Sequence, residues 1–164
     1  MGVKKYKNGM YGGKFMPFHK GHLSCIAKAS AECEVANLIL FYNGVQEKEI
    51  LKTDKREFLT PEARMKVVEK VAKMFPNVRP VFIDVTASIM ENGEEDWDLQ
   101  TPMVINAIGM PDAVYASEPA YGEYFSRAYP PAEYRIVDVD RTLFPVSGTK
   151  VRHMTDEERK QWMV

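Results

Sequence analysis

The stretch VANLILFYN, Val35 to Asn43, is a nearly continuous apolar run that closes on Asn-Gly. An amphipathic strand would alternate polar and apolar residues, so this run reads as a central parallel strand covered on both faces. A parallel neighbour needs a crossover helix, and the rest of the chain supplies the units. Tyr6 to Phe15 reads as a strand broken by glycine, and Gly21 to Cys33 as a helix with Leu23, Ile26, Ala27 and Ser30 on one face. Gly44 to Leu59 is polar and charged and reads as a loop. Thr60-Pro61-Glu62 then offers an N-cap, an N1 proline and a first-turn acid for a helix to about Phe75. VRPVFIDV is a third strand, MENGEEDWD an acidic loop, and Leu99 to Ile108 a helix. DAVYAS, a helix from Ala120 to Tyr129, and EYRIVDVD complete a βαβαβαβαβ order. That order predicts an α/β, Rossmann-like, doubly wound parallel sheet of five strands, with helices on both faces and ligands at the carboxyl ends of the strands.

At 164 residues and 18.8 kDa, with 45% apolar and 27% charged residues, residues 1–164 are expected to form a single domain with one core. The formal net charge of −1 excludes a global basic field, so no nucleic-acid partner is expected and any anion site must be local. The N-terminal residues lack an apolar signal segment, and no run approaches a membrane span. A cytoplasmic protein with no membrane partner is the expectation. Cys25 and Cys33 read as small buried hydrophobes in a reducing compartment.

Where the first strand should meet the first helix stands GGKFMPFHKGHLS, Gly12 to Ser24. His19 and His22 fall just before and inside the first helical turn, where unpaired N–H groups and the helix dipole favour an anion. The dipole contributes only about 0.3–1 kcal/mol, up to ~2 when partly buried, so two imidazole donors would matter more. Gly21 leaves room for a phosphate or planar group to approach the backbone, and Gly12 and Gly13 are expected to leave the strand end open. The plain structural reading is that the histidines cap a helix and the glycines make a turn. A zinc pair is weaker, because no further Cys/His cluster completes it and His153 stands alone, so no metal ligands are assigned. The dinucleotide fingerprint and the P-loop are both absent.

His19-Lys20-Gly21-His22 resembles the H-x-G-H motif of the nucleotidyltransferase superfamily, and SGTKVR, Ser147 to Arg152, resembles its second signature, (I/V)-S-x-T-x-x-R. PDAVYASEPAYGEYFSRA, VDVDRTLFPVSGTKVR and MENGEEDWDLQ further resemble the NMN adenylyltransferase domain of bifunctional proteins that also carry a ribosylnicotinamide kinase. The resemblance implies transfer of AMP from ATP to NMN, giving NAD and pyrophosphate. It assigns His19, His22 and Arg152 as catalytic, with His22 nearest the α-phosphate. Gly13, Lys14, Phe15 and Gly21 join the histidines on the ATP side, and Ser147, Thr149 and Arg152 would hold the β- and γ-phosphates. Nucleotidyl transfer needs positioning and charge neutralisation more than covalent chemistry, and these residues are donors. Mg²⁺ would be carried mainly on the ATP phosphates.

On the acceptor side, Trp97 could stack on a nicotinamide ring, against the alternative of a core tryptophan. Glu118, at the end of the fourth strand, and Asp140 and Arg141, at the end of the last, fall on the same ligand edge. Arg64 could reach a phosphate or be a solvated helical arginine. ATP and a small phosphate-bearing acceptor are thus the expected partners, with self-association left open. The competing readings are another nucleotidyltransferase of this fold, acting as a cytidylyltransferase or on FMN or phosphopantetheine, and a non-catalytic nucleotide sensor.

Overall fold

The computed structural model describes residues 3–53, 59–137 and 147–164. Five parallel strands, β1 (Tyr6–Gly13), β2 (Cys33–Tyr42), β3 (Val78–Asp84), β4 (Ala113–Ala116) and β5 (Glu133–Ile136), lie in the order β3-β2-β1-β4-β5. The helices are α1 (Lys20–Glu32), α2 (Gly44–Thr53), α3 (Pro61–Ala72), α4 (Trp97–Ile108), α5 (Gly122–Ala128), α6 (Gly148–Arg152) and α7 (Asp156–Trp162). The doubly wound sheet expected from the apolar run is present, with VANLILFYN at its second position.

Alternate residues of each strand feed two cores. Leu38, Leu40, Tyr11 and Tyr115 face Cys25, Ile26 and Ala29 of α1 and Val68 and Val71 of α3. Their chain neighbours Ile39, Met10 and Val114 face the other way, onto Val104 and Ile108 of α4 and Tyr129 after α5. Burial on both sides is why β2 reads as a continuous apolar run and not an alternating one. Asn37, fully buried within it, donates to Asn8 Oδ1 and to the Gly9 carbonyl. Among the described residues no helix is long and apolar enough to cross a membrane.

Several boundaries differ from the sequence reading, three of them around the crevice. Residues 44–53 form helix α2, where a loop was expected. Its start is organised by Asn43, whose Oδ1 accepts from the Val45 N–H at 3.0 Å, and by Glu47, which accepts from the Asn43 N–H at 3.1 Å. Among the side chains described on α2 the buried one is that glutamate, which a sequence reading takes for a surface charge. Helix α4 starts two positions before the expected Leu99, because Asp96 caps it by accepting from the Asp98 N–H. Strand β1 ends at Gly13, and Phe15 beyond it holds φ 52 in the left-handed region.

Candidate active site

The chain leaves β1 toward β2 and β3 on one side and returns to β4 and β5 on the other, so the topological switch point lies between the carboxyl ends of β1 and β4. A crevice must open there, since the two crossovers diverge. A cavity of about 420 Å³ occupies it, with Gly12, Gly13 and Lys14 from β1 and Ala116, Ser117 and Glu118 from β4 on its walls. That volume suits a small-molecule site.

One wall is the start of α1. His19 is the N-cap, 2% exposed, and its Nδ1 accepts from the Gly21 and His22 N–H groups at 3.1 and 3.4 Å. His22 returns the bond: its Nδ1 accepts from the His19 N–H at 3.0 Å. This is a capping box built from two histidines, with the rings stacked at 3.6 Å. An Nδ1 that accepts carries no proton, so each neutral ring presents Nε2–H as its donor. The cap thus fixes the tautomer of both rings. Phe15 and Phe18 pack against the His22 ring at 4.9 and 5.2 Å and hold it in place. The Phe15 side chain is buried in this cluster, away from the cavity wall.

Gly12 and Gly13 open the strand end onto the cavity as expected, but room for a ligand is not their whole role. A Cβ on Gly12 would stand 2.3 Å from the Phe41 ring, and one on Gly13 2.9 Å from the Phe15 ring. Their missing side chains make room for aromatic packing, while their backbones line the cavity.

The second signature docks beside the first. Ser147 caps α6 by accepting from the Lys150 N–H, and Arg152 donates to the Met16 carbonyl at 2.7 Å and to Thr149 Oγ1 at 3.3 Å. Arg152 thus binds the loop that carries the histidines, although Ser147, Thr149 and Arg152 are not on the wall of the cavity itself.

The opposite wall is aromatic. Trp97, the first residue of α4 and half-buried, meets Tyr121 at 4.8 Å and Tyr124 at 5.2 Å, both edge-on. The Tyr124 hydroxyl donates to the Trp97 carbonyl at 2.7 Å. Tyr121 stays 41% exposed at the mouth. Glu118 lines the cavity while its carboxylate accepts from the Ala120 N–H. Asp140 and Arg141 lie outside the described residues. Tyr121 and Tyr124 were missed in the sequence as wall residues. Their spacing with Phe125 marks a helix face, and a ligand wall on that face looks the same as a core face.

Lys14 lies on the cavity wall and pairs with Glu95 at 2.8 Å. Burial alone would raise the Glu95 carboxyl, but the bonds from Lys14, Asn43 and Gln100 outweigh it and hold the group below the usual carboxylate range. Glu95 was also missed, being one of several acids in MENGEEDWD. Arg64 reaches neither solvent nor the cavity, contrary to both expectations: it is 1% exposed and paired with Glu47, itself 3% exposed.

With this geometry in hand, likeness to known proteins is informative. The chain is 24% identical over 152 residues, 88% of its length, to the trifunctional NAD biosynthesis/regulator protein NadR of Escherichia coli (strain K12), and spans 36% of that relative. A crystal structure of a NadR protein in complex with NAD and AMP-PNP matches 99% of this chain and 46% of its own, with a TM-score of 0.63 and 19% identity. A bifunctional NMN adenylyltransferase/ADP ribose pyrophosphatase from Francisella tularensis, complexed with AMP and a Mn ion, matches 81% of this chain and 37% of its own, with a TM-score of 0.51 and 19% identity. The chain therefore spans less than half the length of each of these proteins. The cytidylyltransferase-like family model runs from residue 10 to residue 154, taking in both signatures and the strands that frame the crevice, and on that match the chain belongs to the cytidylyltransferase-like family of nucleotidyltransferases.

Proposed function

We propose that the protein is a nicotinamide-nucleotide adenylyltransferase, transferring AMP from ATP to NMN with release of pyrophosphate. The observation that carries this reading is the division of one crevice into two unlike walls. The α1 wall offers imidazole N–H groups at the positive end of a helix, as a triphosphate requires, and the α4–α5 wall offers Trp97 and Tyr121, as a flat pyridine base requires. The names of the NadR and Francisella relatives support the same reaction class.

In this mechanism ATP lies along Gly13, Lys14, Phe15 and Gly21, with Phe15 contributing only backbone. An oxygen of the NMN phosphate attacks the α-phosphorus in line, a new P–O bond forms, and the bond to the β-phosphate oxygen breaks. His22 Nε2–H and His19 Nε2–H stabilise the charge that grows on the α-phosphate oxygens, and the cap keeps both donors aimed before reaction begins. Ser147, Thr149 and Arg152 receive the departing pyrophosphate; Arg152 is held by the Met16 carbonyl until a phosphate takes its remaining donors. Trp97 stacks the nicotinamide ring, and Glu118, Asp140 and Arg141 orient the acceptor ribose and phosphate.

Among the described residues no three His, Cys, Asp or Glu gather as a metal site. Mg²⁺ would be carried mainly on the triphosphate oxygens in this reading and would supply charge neutralisation there. The reading treats residues 1–164 as one catalytic unit acting in the cytoplasm, where the buried Cys25 and Cys33 stay reduced.

The test is pyrophosphate release with ATP or CTP against NMN, nicotinate mononucleotide, FMN, phosphopantetheine and glycerol 3-phosphate. Release with ATP and NMN is expected. Turnover only with another acceptor overturns the assignment of NMN, and no turnover with any of them favours a nucleotide sensor.

A further inference from the structure

The Lys14–Glu95 pair is one link of a closed circuit. Lys14 Nζ meets Glu95 at 2.8 Å, and Glu95 Oε2 accepts from Asn43 Nδ2 at 2.8 Å. The Asn43 N–H donates to Glu47 Oε1 at 3.1 Å, and Glu47 forms the buried ion pair with Arg64 Nη2. Arg64 Nη1 closes the loop by donating to the Lys14 carbonyl at 2.7 Å. Five residues from the ends of β1 and β2, from α2, from α3 and from the turn before α4 are thus joined into a ring that returns to the lysine it left.

Both ends of Lys14 are held, its carbonyl by Arg64 and its ammonium by Glu95. We propose that Arg64 and Glu95 are positioning residues of the transfer reaction, acting through Lys14, which they aim at the triphosphate. Three points support this over a purely structural ring. Lys14 is on the cavity wall, whereas Arg64 is sealed beneath it. A lysine ammonium has three donors, so it can exchange another partner for a phosphate oxygen while Glu95 keeps its hold. A free lysine would lose up to ~2 kcal/mol of rotamer freedom on meeting a phosphate, and a lysine already held in place has lost it beforehand.

The proposal rests on the adenylyltransfer reading only in needing a triphosphate at this wall. Its test is a double-mutant cycle of Glu95→Gln and Lys14→Gln, both neutral and still able to hydrogen-bond, with kcat and the KM for ATP measured for each variant and for the pair. Each single substitution is expected to lower kcat about tenfold to a hundredfold, the scale of misplacing a catalytic group by an ångström, with the ATP KM changed less than about threefold. In the Lys14→Gln background the further loss from Glu95→Gln is expected to vanish. Arg64→Lys, which keeps the charge against Glu47 but not the second donor, is expected to lower kcat likewise and to lose that effect in the same background.

Losses that multiply across the pair overturn the proposal, as does a fall in melting temperature with unchanged kcat per folded molecule. Wild-type turnover with NMN reports on the adenylyltransfer reading separately. The cycle is run with whichever acceptor of the panel releases pyrophosphate, so either idea can fail alone, and release with none of them overturns both.

Discussion

His19 caps α1 and lines the crevice, where the proposed chemistry uses its Nε2–H as a donor, and these two duties can be separated. In His19→Ala the Gly21 and His22 N–H groups lose the acceptor they meet at 3.1 and 3.4 Å, and a ring stacked at 3.6 Å on His22 disappears. Loss of an N-cap costs about 1 kcal/mol, and the vacated space beneath a residue only 2% exposed adds about as much again. The sum of about 2 kcal/mol corresponds to roughly 4–8 °C in melting temperature for a chain of this size. His19→Asn keeps an oxygen where Nδ1 stood, so it retains the cap and loses only the ring, about 1 kcal/mol. Neither variant keeps Nε2–H. On the proposed chemistry both lose an oxyanion-type donor, about 2.7–4 kcal/mol of barrier or ~10²–10³ in kcat. Thermal melts by circular dichroism and pyrophosphate release supply the two axes. An asparagine variant with near wild-type kcat would refute the donor role, and equal destabilisation by alanine and asparagine would refute the cap.

Trp97→Ala is expected to raise the acceptor KM between about fivefold and ~150-fold, the worth of one base–aromatic stack, with the KM for ATP unchanged; a fall in ATP affinity instead moves Trp97 to the other substrate. Gly12→Ala and Gly9→Ala should each destabilise by about 1–3 kcal/mol in urea titration, since the new Cβ would lie 2.3 Å from the Phe41 ring or 2.4 Å from Cys33 Sγ. Only Gly12→Ala should also weaken substrate binding, because Phe41 is driven toward the cavity; equal KM values in the two variants would contradict that path. Burial first, then the bond to Glu133, pushes the Tyr6 phenol up to about 12, and burial first, then the charge of Glu118, does the same for Tyr134. Both pKa values are raised on folding, so their contribution to stability is complete below about pH 10 and is lost as pH climbs toward about 12. Denaturant midpoints and phenolate absorbance across that window check this, and a flat midpoint would contradict it.

The parts of the fold that follow from one residue's surroundings in sequence were legible. Val35 to Asn43 reads as a doubly covered strand because both of its faces are apolar, and Thr60-Pro61 caps α3 as expected. The histidine pair and the Ser147–Arg152 signature pointed to one place, and Arg152 does reach the loop of the histidines. What escaped depends on partners distant in sequence. Glu47 and Arg64 each look like surface charges, and only their encounter lets both be buried and α2 exist as a helix. Glu95 stands among Glu91, Glu94, Asp96 and Asp98, and nothing local distinguishes it until Lys14, Asn43 and Gln100 converge on it. Gly12 and Gly13 line the cavity as read, but the rings packed where their side chains would stand were not legible, because nothing local marks Phe41 as the partner of Gly12.

The switch point between β1 and β4 has a consequence for how such a chain can diversify. In the proposed reading the nucleotide donor is met by residues near the two ends of the chain, 13–22 and 147–152, whereas the aromatic wall comes from one continuous stretch, Trp97 to Tyr129. The base-stacking wall and the triphosphate machinery are then encoded in separable passages that touch only across the crevice. A new preference for the acceptor's ring can be acquired by exchanging a single internal segment, leaving the triphosphate machinery inherited intact.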